Sequence, residues 1–388
     1  MTDPTHRSPS CGPRGPLRIV LTANTGFNLV NFRAGLIAAL LADGHELVAL
    51  VPPSIHDGEI VAMGCRVVPL KMDARGLNPL SEIALIWRMR LAFRRLAPDV
   101  VLSWTIKNNL YGALAARPLG IPVVPNVTGL GTAFARRGSM LGWVAGRLYK
   151  RGLKGVAPVF VQNANDAELL LDGGFLTAGQ IKSLPGSGVD LVRFAQAPFA
   201  PSRAQVRFLM IARLLRDKGV ADLVEALRIM RRWDVEAHVT VLGAFDDRDA
   251  GMVAARDLES WRRIDGLEFI AHVADVRPYL ADADCIVLPS YYAEGLPRSL
   301  LEAAATGRPI ITTDHPGCRD AIVPGQTGLL CRVRDPNDLA RAMTEMIGIG
   351  PPARIDMGNA ARRRAEQFFD ERLVIAAYRR ELADLSED

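Results

Sequence analysis

The chain contains 388 residues, and this length favours two domains because a single domain usually holds about 100 to 200 residues. Hydrophobic residues make up 49% of the chain and charged residues 23%, a composition that supports folded cores and excludes an intrinsically disordered protein. Every apolar run is shorter than the ~20 residues that a membrane-spanning helix needs. The polar segment 1–16 lacks the apolar region of a signal peptide and is predicted to be a disordered tail.

Cysteine usage and charge indicate the compartment and the partners. The five cysteines are scattered without a C-x-x-C pair, so we expect reduced thiols in a cytoplasmic protein. The net charge of +5 divides into +9 for residues 1–200 and −4 for residues 201–388. Within residues 97–155, Asp99 is the only acidic residue. This basic region is typical of a solvated face, but it also favours an anionic membrane surface or a nucleic acid. No nucleic-acid-binding module is present, so we expect no nucleic acid.

Short apolar runs rich in Val, Ile and Leu alternate with longer segments of helical periodicity. Strands that are apolar on both faces and separated by helices predict a parallel sheet covered on each side. Two such series, one in each half, predict two doubly wound α/β domains. The predicted strands are 17–23, 47–51, 100–103, 123–126 and 159–162 in the first half, and 208–212, 238–242, 267–270, 285–289 and 310–313 in the second.

Glycines and prolines without sustained periodicity mark a boundary within residues 186–199. We therefore predict a first domain over residues 17–190 and a second over residues 191–369. Residues 370–385 have the pattern of an amphipathic helix. Because open α/β sheets bind ligands at the carboxyl ends of their strands, two facing domains predict a site in the cleft between them.

The segment 291–302 carries two glutamates after a predicted strand of the second half. Glu294 lies in the loop, and Glu302 lies eight residues later on the following helix. Free N–H groups between residues 295 and 300 predict an anion site at the helix start. Ionised carboxylates accept hydrogen bonds, and sugar hydroxyls donate them. Taken alone, two glutamates at this spacing are also typical of an exposed helix.

Two cations follow the first strand of the second half and strengthen the first interpretation. Arg213 offers a planar fork for phosphate oxygens, and Lys218 offers a point charge. Together they could neutralise a diphosphate without a metal. The six histidines are dispersed, and an Asp-x-Asp pair at 247 and 249 is only weak evidence for a metal ligand set, so no metal site is predicted.

These motifs resemble a known family. The Glu294-x7-Glu302 spacing, the pair Arg213 and Lys218-Gly219, and the sequence G-S-G-V-D at 186–190 resemble the retaining nucleotide-sugar glycosyltransferases of family 4, which have the GT-B fold. F-N-L-V-N-F-R at 27–33 and V-T-G-L-G at 127–131 are similar to one bacterial subgroup. Members of that subgroup add a sugar to a polyprenyl-diphosphate-linked sugar in capsule, O-antigen or glycan assembly. The similarity runs from about residue 17 to residue 385.

The resemblance implies a role for each candidate residue. Positions equivalent to Arg213 and Lys218 hold the donor diphosphate, Glu302 binds the ribose hydroxyls, and Glu294 contacts the donor sugar. We therefore expect Glu294, Arg213 and Lys218 to act in catalysis. The expected donor-binding residues are Gly26, Asn126, Thr128, Gly188, Arg213, Lys218, Gly295, Leu296, Pro297, Arg298 and Glu302.

This chain departs from the family pattern at one position. Many members carry a histidine that contacts the donor sugar in the loop after the strand equivalent to 123–126. Here the loop reads N-V-T-G-L-G over residues 126–131, so Asn126 or Thr128 is expected to take its place.

The reaction implied by the resemblance is the retaining transfer of a hexose or N-acetylhexosamine. The expected donor is a UDP-sugar and the expected acceptor a polyprenyl-diphosphate-linked saccharide, with no metal or other cofactor. The helix at 370–388 is expected to cross back onto the first domain, which would bind the acceptor while the second binds the nucleotide sugar. The same architecture leaves open a nucleotide-sugar epimerase or hydrolase, or a non-catalytic sugar-nucleotide-binding partner protein.

Two predicted helices of the first half combine apolar residues with several bases. They cover residues 82–96 and 140–154 and have the composition of helices that lie in a membrane interface. Alternatively, their apolar faces cover the first sheet. The first interpretation predicts a peripheral protein on the anionic cytoplasmic face of the cell membrane.

Overall fold

The computed structural model describes residues 15–73, 76, 78–130, 140–199, 205–246, 249 and 251–385, with the backbone alone for residues 140–145. The predicted disordered tail lies outside these residues, apart from residues 15 and 16. The described chain forms two parallel β-sheets, one of seven strands and one of six, each flanked by helices. The prediction of two doubly wound α/β units is therefore confirmed.

The first sheet has the strand order β3-β2-β1-β4-β5-β6-β7, and all its pairings are parallel. Its central strands are buried on both faces, as their continuous apolar sequences predict. We call this sheet with its flanking helices the first domain. The strands are β1 (Arg18–Thr22), β2 (Glu46–Val51), β3 (Arg66–Pro69), β4 (Val100–Trp104), β5 (Val123–Val127), β6 (Val159–Val161) and β7 (Ile181–Ser183). The helices are α1 (Gly26–Ala42), α2 (Asp57–Ala62), α3 (Pro79–Leu96), α4 (Ile106–Ala116), α5 (Met140–Gly152) and α6 (Ala164–Asp172).

The second sheet has the strand order β10-β9-β8-β11-β12-β13, again with parallel pairing. We call this sheet with its helices the second domain. The strands are β8 (Arg207–Ile211), β9 (His238–Leu242), β10 (Leu267–Ile270), β11 (Cys285–Leu288), β12 (Ile310–Thr313) and β13 (Gly328–Cys331). The helices are α7 (Val220–Arg232), α8 (Ala255–Trp261), α9 (Arg277–Asp282), α10 (Arg298–Ala305), α11 (Pro336–Gly348) and α12 (Gly350–Arg364), and a final helix, α13 (Glu371–Asp384), ends the described chain.

Three strands, β3, β7 and β13, have no counterpart among the predicted strands. All three lie at sheet edges, where a strand has one hydrogen-bonded neighbour and is less covered. In β3 and β7 every residue is exposed or half-buried. Because the apolar pattern that predicts a strand reflects burial, short edge strands give a weak signal.

The chain passes between the domains at two adjacent segments. It leaves the first domain after β7 through residues 184–190, and it returns at residues 369–371. The N–H of Val189 donates to the carbonyl of Phe369 at 2.7 Å, and the N–H of Glu371 donates to the carbonyl of Val189 at 3.1 Å. Helix α13 then packs its buried side chains Val374, Tyr378 and Leu382 into the core of the first domain. The crossings therefore form one paired link, which we call the hinge.

Candidate active site

The loop after β11 brings Glu294 to the side chain of Lys218. Lys218 ends a short 3-10 turn after β8, and because β8 and β11 are neighbours, their carboxyl ends lie side by side. Lys218 Nζ donates to Glu294 Oε1, and it lies 5.1 Å from the ring centre of Tyr292. Ser290 Oγ lies 3.4 Å from the same carboxylate oxygen. The structure thus joins two of the three predicted catalytic residues in one ion pair.

Arg213, the third predicted catalytic residue, lies two residues after the end of β8 and is exposed. Its own backbone is fixed by a hydrogen bond from the N–H of Leu215 to its carbonyl at 2.7 Å. Within the described residues its guanidinium makes no ion pair with Glu294. Arg213 therefore stands at the cleft edge of the second sheet as a cation open to solvent.

The glycine after Lys218 fixes how closely the two loops approach. Gly219 has φ +76°, and a Cβ atom there would overlap the carbonyl group of Pro289. A side chain at this position would push the turn that holds Lys218 away from the loop that holds Glu294. This contact explains why the sequence places a glycine directly after the lysine.

Glu302 is buried on α10, one turn after Arg298. Arg298 Nε donates to Glu302 Oε1 at 3.0 Å. Burial raises the pKa of Glu302 above its usual value, while the positive charge of Arg298 and the hydrogen bond from it act in the opposite direction. Pro297 is the N-cap residue that precedes the first turn of α10.

A backbone contact joins the two domains beside Glu294. The N–H of Gly295 donates to the carbonyl of Thr128 at 2.9 Å. Gly129 has φ +130°, and a Cβ atom there would lie 2.8 Å from the Cα of Glu294. The predicted free amide of Gly295 is therefore occupied by the first domain in this structure.

Asn126 lies buried at the end of β5 with both ends of its side-chain amide bonded. Its Oδ1 accepts from Gln162 Nε2 at 3.0 Å, and its Nδ2 donates to the hydroxyl of Tyr378 at 3.1 Å. Trp104 Nε1 donates to the same hydroxyl at 3.0 Å. Of the two predicted substitutes for the family histidine, only Thr128 is partly open to the cleft.

The remaining predicted donor-binding residues line the two domain edges. Gly26 begins α1, and a Cβ atom there would lie 2.6 Å from Ser54 Oγ. Leu296 is buried, and its side chain packs beneath Gly186. Gly188 lies in the hinge, where its carbonyl accepts from Arg298 Nη1 at 2.9 Å. Leu296 is therefore a packing residue, and the nearest neighbours of Gly26 all belong to the first domain.

The sequence analysis did not identify the loop after β12, which also reaches Glu294. Gly317 approaches the carbonyl oxygens of Glu294 and Gly295 so closely that a side chain would not fit. His315 of this loop is half-buried, and its Nδ1 lies 3.0 Å from the carbonyl of Pro316. Burial lowers the pKa of His315, while the charge of Glu294 opposes that change. The sequence signal for this loop is its position at the carboxyl end of a predicted parallel strand.

Within the described ranges, no three His, Cys, Asp or Glu side chains are grouped so that they could hold a metal ion. None of the described helices is both long enough and apolar enough to cross a membrane.

Comparison with known proteins identifies the family. Residues 30–186 match the family described as "Glycosyl transferase 4-like domain", and residues 205–348 match "Glycosyl transferases group 1". Both matched families are glycosyltransferases, and the chain is a glycosyltransferase, a transferase enzyme. It is 25% identical over 377 residues to the N,N'-diacetylbacillosaminyl-diphospho-undecaprenol alpha-1,3-N-acetylgalactosaminyltransferase of Campylobacter jejuni. This alignment covers 93% of this chain and 97% of that protein.

Solved structures with the same architecture confirm the predicted GT-B fold. A glycosyltransferase from Rickettsia africae matches with a TM-score of 0.79 at 15% identity, over 97% of this chain and 100% of that chain. HepE from Anabaena in complex with UDP and glucose matches with a TM-score of 0.77 at 16% identity, over 95% and 99%. At these identities the likeness concerns the fold alone.

Proposed function

We propose that this glycosyltransferase moves a hexose or N-acetylhexosamine from a UDP-sugar to a polyprenyl-diphosphate-linked saccharide, with retention, in cell-surface polysaccharide or glycan assembly. The observation that carries the proposal is the pairing of Lys218 with Glu294 at the carboxyl ends of β8 and β11, followed on α10 by the buried pair of Arg298 and Glu302. The Campylobacter relative, whose name includes a diphospho-undecaprenol sugar, supports the acceptor class. The HepE complex with UDP and glucose supports the donor class.

The second domain would bind the nucleotide sugar. Glu302 is positioned to accept hydrogen bonds from ribose hydroxyls, since Arg298 keeps a positive charge beside its carboxylate. Lys218 and Arg213 would hold the diphosphate, and Glu294 would contact the donor sugar. The N-terminus of α10 adds a partial positive charge on the same side.

The electrostatics of the site suit departure of a diphosphate. The bond between the anomeric carbon and the diphosphate oxygen breaks, and the acceptor hydroxyl oxygen bonds to that carbon on the same face. The proton of the acceptor hydroxyl passes to a phosphate oxygen of the leaving group. Lys218 and Arg213 would stabilise the developing negative charge, and each such preorganised group contributes about 3 kcal/mol. We propose no metal or other cofactor, because these cations supply the charge.

Helix α3 supports binding of the first domain to an anionic membrane surface. Its buried side chains Leu85, Met89 and Phe93 cover the sheet, as the alternative interpretation expects. A second apolar stripe faces solvent, and Trp87 in it is 58% exposed with Arg90 5.8 Å from its ring centre. The stripe consists of Leu80, Ile83, Trp87 and Leu91. Exposed apolar residues among bases are typical of helices in a membrane interface, on the cytoplasmic face in this proposal.

A transfer assay tests the reaction. The protein is incubated with UDP-hexoses or UDP-N-acetylhexosamines and a polyprenyl-diphosphate-linked sugar, and the extended lipid is detected by mass and its anomer by NMR. Glu302→Ala should abolish transfer while the protein still folds, whereas Glu345→Ala, at an exposed glutamate of α11, should retain transfer. Release of UDP without an acceptor would indicate a hydrolase. UDP binding without transfer to any lipid-linked acceptor would indicate a binding protein.

A vesicle assay tests the membrane surface separately. Wild-type protein should sediment with vesicles that contain phosphatidylglycerol and remain free of neutral vesicles. Trp87→Glu should weaken this binding roughly 5- to 10-fold, since it removes interfacial apolar area and adds a repelled charge. Trp233→Glu is the matched control, because Trp233 is also exposed but lies in the second domain. Equal loss in both variants would contradict a surface on α3.

A further inference from the structure

Arg298 contacts two functional parts of the molecule with one guanidinium group. Its Nε donates to Glu302 Oε1 at 3.0 Å. Its Nη1 donates to the carbonyl of Gly188 at 2.9 Å and to Ser187 Oγ at 3.2 Å. The first contact holds a carboxylate of the candidate donor site, and the other two hold the hinge.

The local sequence accounts for this double contact. Arg298 and Glu302 lie four residues apart on α10, a spacing that brings their side chains together on one helix face. Arginine presents several N–H donors in a fixed plane, so one edge can face a carboxylate while another faces a carbonyl. A lysine at this position would have one flexible point charge and could not hold both partners in fixed geometry.

Both partners of the ion pair are shielded from water. The side chain of Arg298 is 14% exposed and that of Glu302 is 11% exposed. Burial raises the pKa of Glu302, and among the charged groups that act on it Arg298 and Arg193 oppose the rise. Arg298 is thus the group that most favours the ionised form of Glu302.

The hinge at Gly188 leaves little room for movement that does not involve Arg298. Gly188 has φ +69°, and a Cβ atom there would lie 2.5 Å from the Cα of Glu371 on the returning segment. The two crossings are also joined by the hydrogen bonds of Val189. Rotation of one domain against the other must therefore change the backbone of the hinge, which includes the residues that Arg298 binds.

We infer that Arg298 is a positioning residue that couples occupancy of the Glu302 site by a nucleotide ribose to the conformation of the hinge. The inference rests on the proposed function, which assigns ribose binding to Glu302. If hinge rotation moves Gly188, it moves Arg298 and with it the carboxylate. By thermodynamic linkage, a ribose that binds one orientation of the carboxylate stabilises the matching hinge conformation.

Two substitutions distinguish the effect of the positive charge of Arg298 from the effect of its planar guanidinium group. Arg298→Lys keeps a cation beside Glu302 but loses the simultaneous hinge contacts. Arg298→Gln loses both. With UDP as the probe, calorimetry should give a loss of affinity of about 10- to 100-fold for Arg298→Gln. The loss for Arg298→Lys should be several-fold.

Hydrogen exchange at the hinge provides the decisive measurement. In the wild-type protein, saturating UDP should slow exchange of the amides in residues 186–190 and 369–371. Both Arg298 variants should lose this protection at saturating UDP, where the difference in affinity no longer matters. Ser187→Ala removes one of the two hinge contacts and should reduce the protection while leaving UDP affinity nearly unchanged.

Arg341→Gln is the matched control. Arg341 also donates to carboxylates of its own helix, including Glu345 four residues later at 2.8 Å, but it lies on an exposed face of α11. This variant should bind UDP and protect the hinge as the wild-type protein does.

The pH dependence of UDP binding adds a readout that a purely structural role would not change. Without Arg298, burial acts on Glu302 with less opposition, so the pKa of its carboxyl rises further. UDP affinity should then begin to fall at a higher pH in Arg298→Gln than in the wild-type protein, as acidification neutralises the carboxylate. Arg298→Lys should restore most of the wild-type profile.

The outcomes distinguish the inference from the function on which it rests. The inferred coupling is wrong if wild-type protein binds UDP without a change in hydrogen exchange of the hinge amides. It is also wrong if both Arg298 variants keep full protection. Neither result contradicts the proposed function. If wild-type protein does not bind UDP, the proposed function is wrong, and the inference that rests on it is wrong as well. Should Arg298→Gln fail to fold by thermal unfolding, Arg298→Lys decides the question.

Discussion

Each domain contains a buried lysine–glutamate ion pair, and the two pairs differ in what else the ammonium group contacts. In the first domain, Lys107 Nζ donates to Glu82 Oε1 at 2.8 Å. It also donates to the carbonyls of Asp73, at 2.8 Å, and Gly76. An ammonium group has three N–H donors, so these three acceptors satisfy it. The ion pair joins α4 to α3, and the two carbonyl contacts join α4 to the segment that precedes α3.

The pair in the second domain is equally buried but less satisfied. The side chains of Lys218 and Glu294 are 10% and 21% exposed, against 13% and 14% for Lys107 and Glu82. Lys218 donates to Glu294 and faces the ring of Tyr292, and within the described chain it has no second carboxylate or carbonyl acceptor. The two pairs are therefore alike in burial and differ in the number of acceptors that the ammonium group has. Because Lys218 has fewer acceptors than Lys107, it keeps N–H donors for a ligand.

Removing each lysine should therefore have opposite effects, and this is the largest difference we expect. Lys218→Gln should lower kcat about 100- to 1,000-fold, because it removes a cation from the proposed diphosphate site. Its melting temperature should fall less than that of Lys107→Gln, because one acceptor rather than three loses its partner. Lys107→Gln should keep kcat within a few-fold but destabilise the fold by about 1 to 3 kcal/mol, because it leaves buried acceptors unpaired. Steady-state kinetics and thermal unfolding of both variants measure these effects.

The assignment of a structural role to Lys107 and a catalytic role to Lys218 would be wrong if Lys107→Gln lost activity as strongly as Lys218→Gln while remaining folded. It would also fail if Lys218→Gln unfolded and Lys107→Gln did not, because the ion pair beside Glu294 would then be the structural one.

The contact between the domains gives a prediction of intermediate size. Gly129→Ala should lower kcat about 10- to 100-fold, because a Cβ atom 2.8 Å from the Cα of Glu294 forces the two loops apart. Gly120→Ala is the control, since Gly120 also has a positive φ, +69°, but has no atom within 4 Å of the added Cβ. It should cost stability alone. Equal loss of activity in both variants would indicate backbone strain as the cause.

The sequence predicts the interior strands and the edge strand β10 but misses the edge strands β3, β7 and β13, for a physical reason. Strands such as β4 and β9 are apolar because they are buried, and their bounds are predicted within one residue. The edge strand β3, with the sequence RVVP, is exposed or half-buried along its length. Its place in the sheet depends on pairing with β2, which no local pattern encodes.

The same distinction applies to the candidate site. The types and spacing of Glu294 and Glu302 carry a local signal, and so does Lys218-Gly219 after a strand. The pairing of Lys218 with Glu294 joins residues 76 positions apart, and the contact of Gly295 with Thr128 joins two domains. Such contacts depend on how sheets and domains pack, so residue spacing alone does not predict them.

The smallest expected effect concerns a second point where the domains meet. Asp166 of α6 in the first domain is buried and accepts a hydrogen bond from Asn163 Nδ2 at 3.0 Å. The pKa of Asp166 is raised to about 6, mainly by burial; the hydrogen bond from Asn163 opposes the rise, and the charge of Asp320 in the second domain adds to it. Two carboxylates of different domains therefore repel each other when both are ionised.

Asp166→Asn should stabilise the protein at neutral pH. A carboxyl group whose pKa is raised by folding stabilises the folded state fully only below its unfolded pKa of about 4, and this contribution is lost as pH rises through about 6. At pH 7.5 the variant should melt a few degrees higher than the wild-type protein, and the difference should shrink towards zero near pH 4. Asp172→Asn, an exposed carboxylate of the same helix, should shift the melting temperature little at either pH. A constant difference between the Asp166 variant and the wild-type protein across this range would show that the side chain acts through packing, because only the ionised carboxylate is repelled by Asp320.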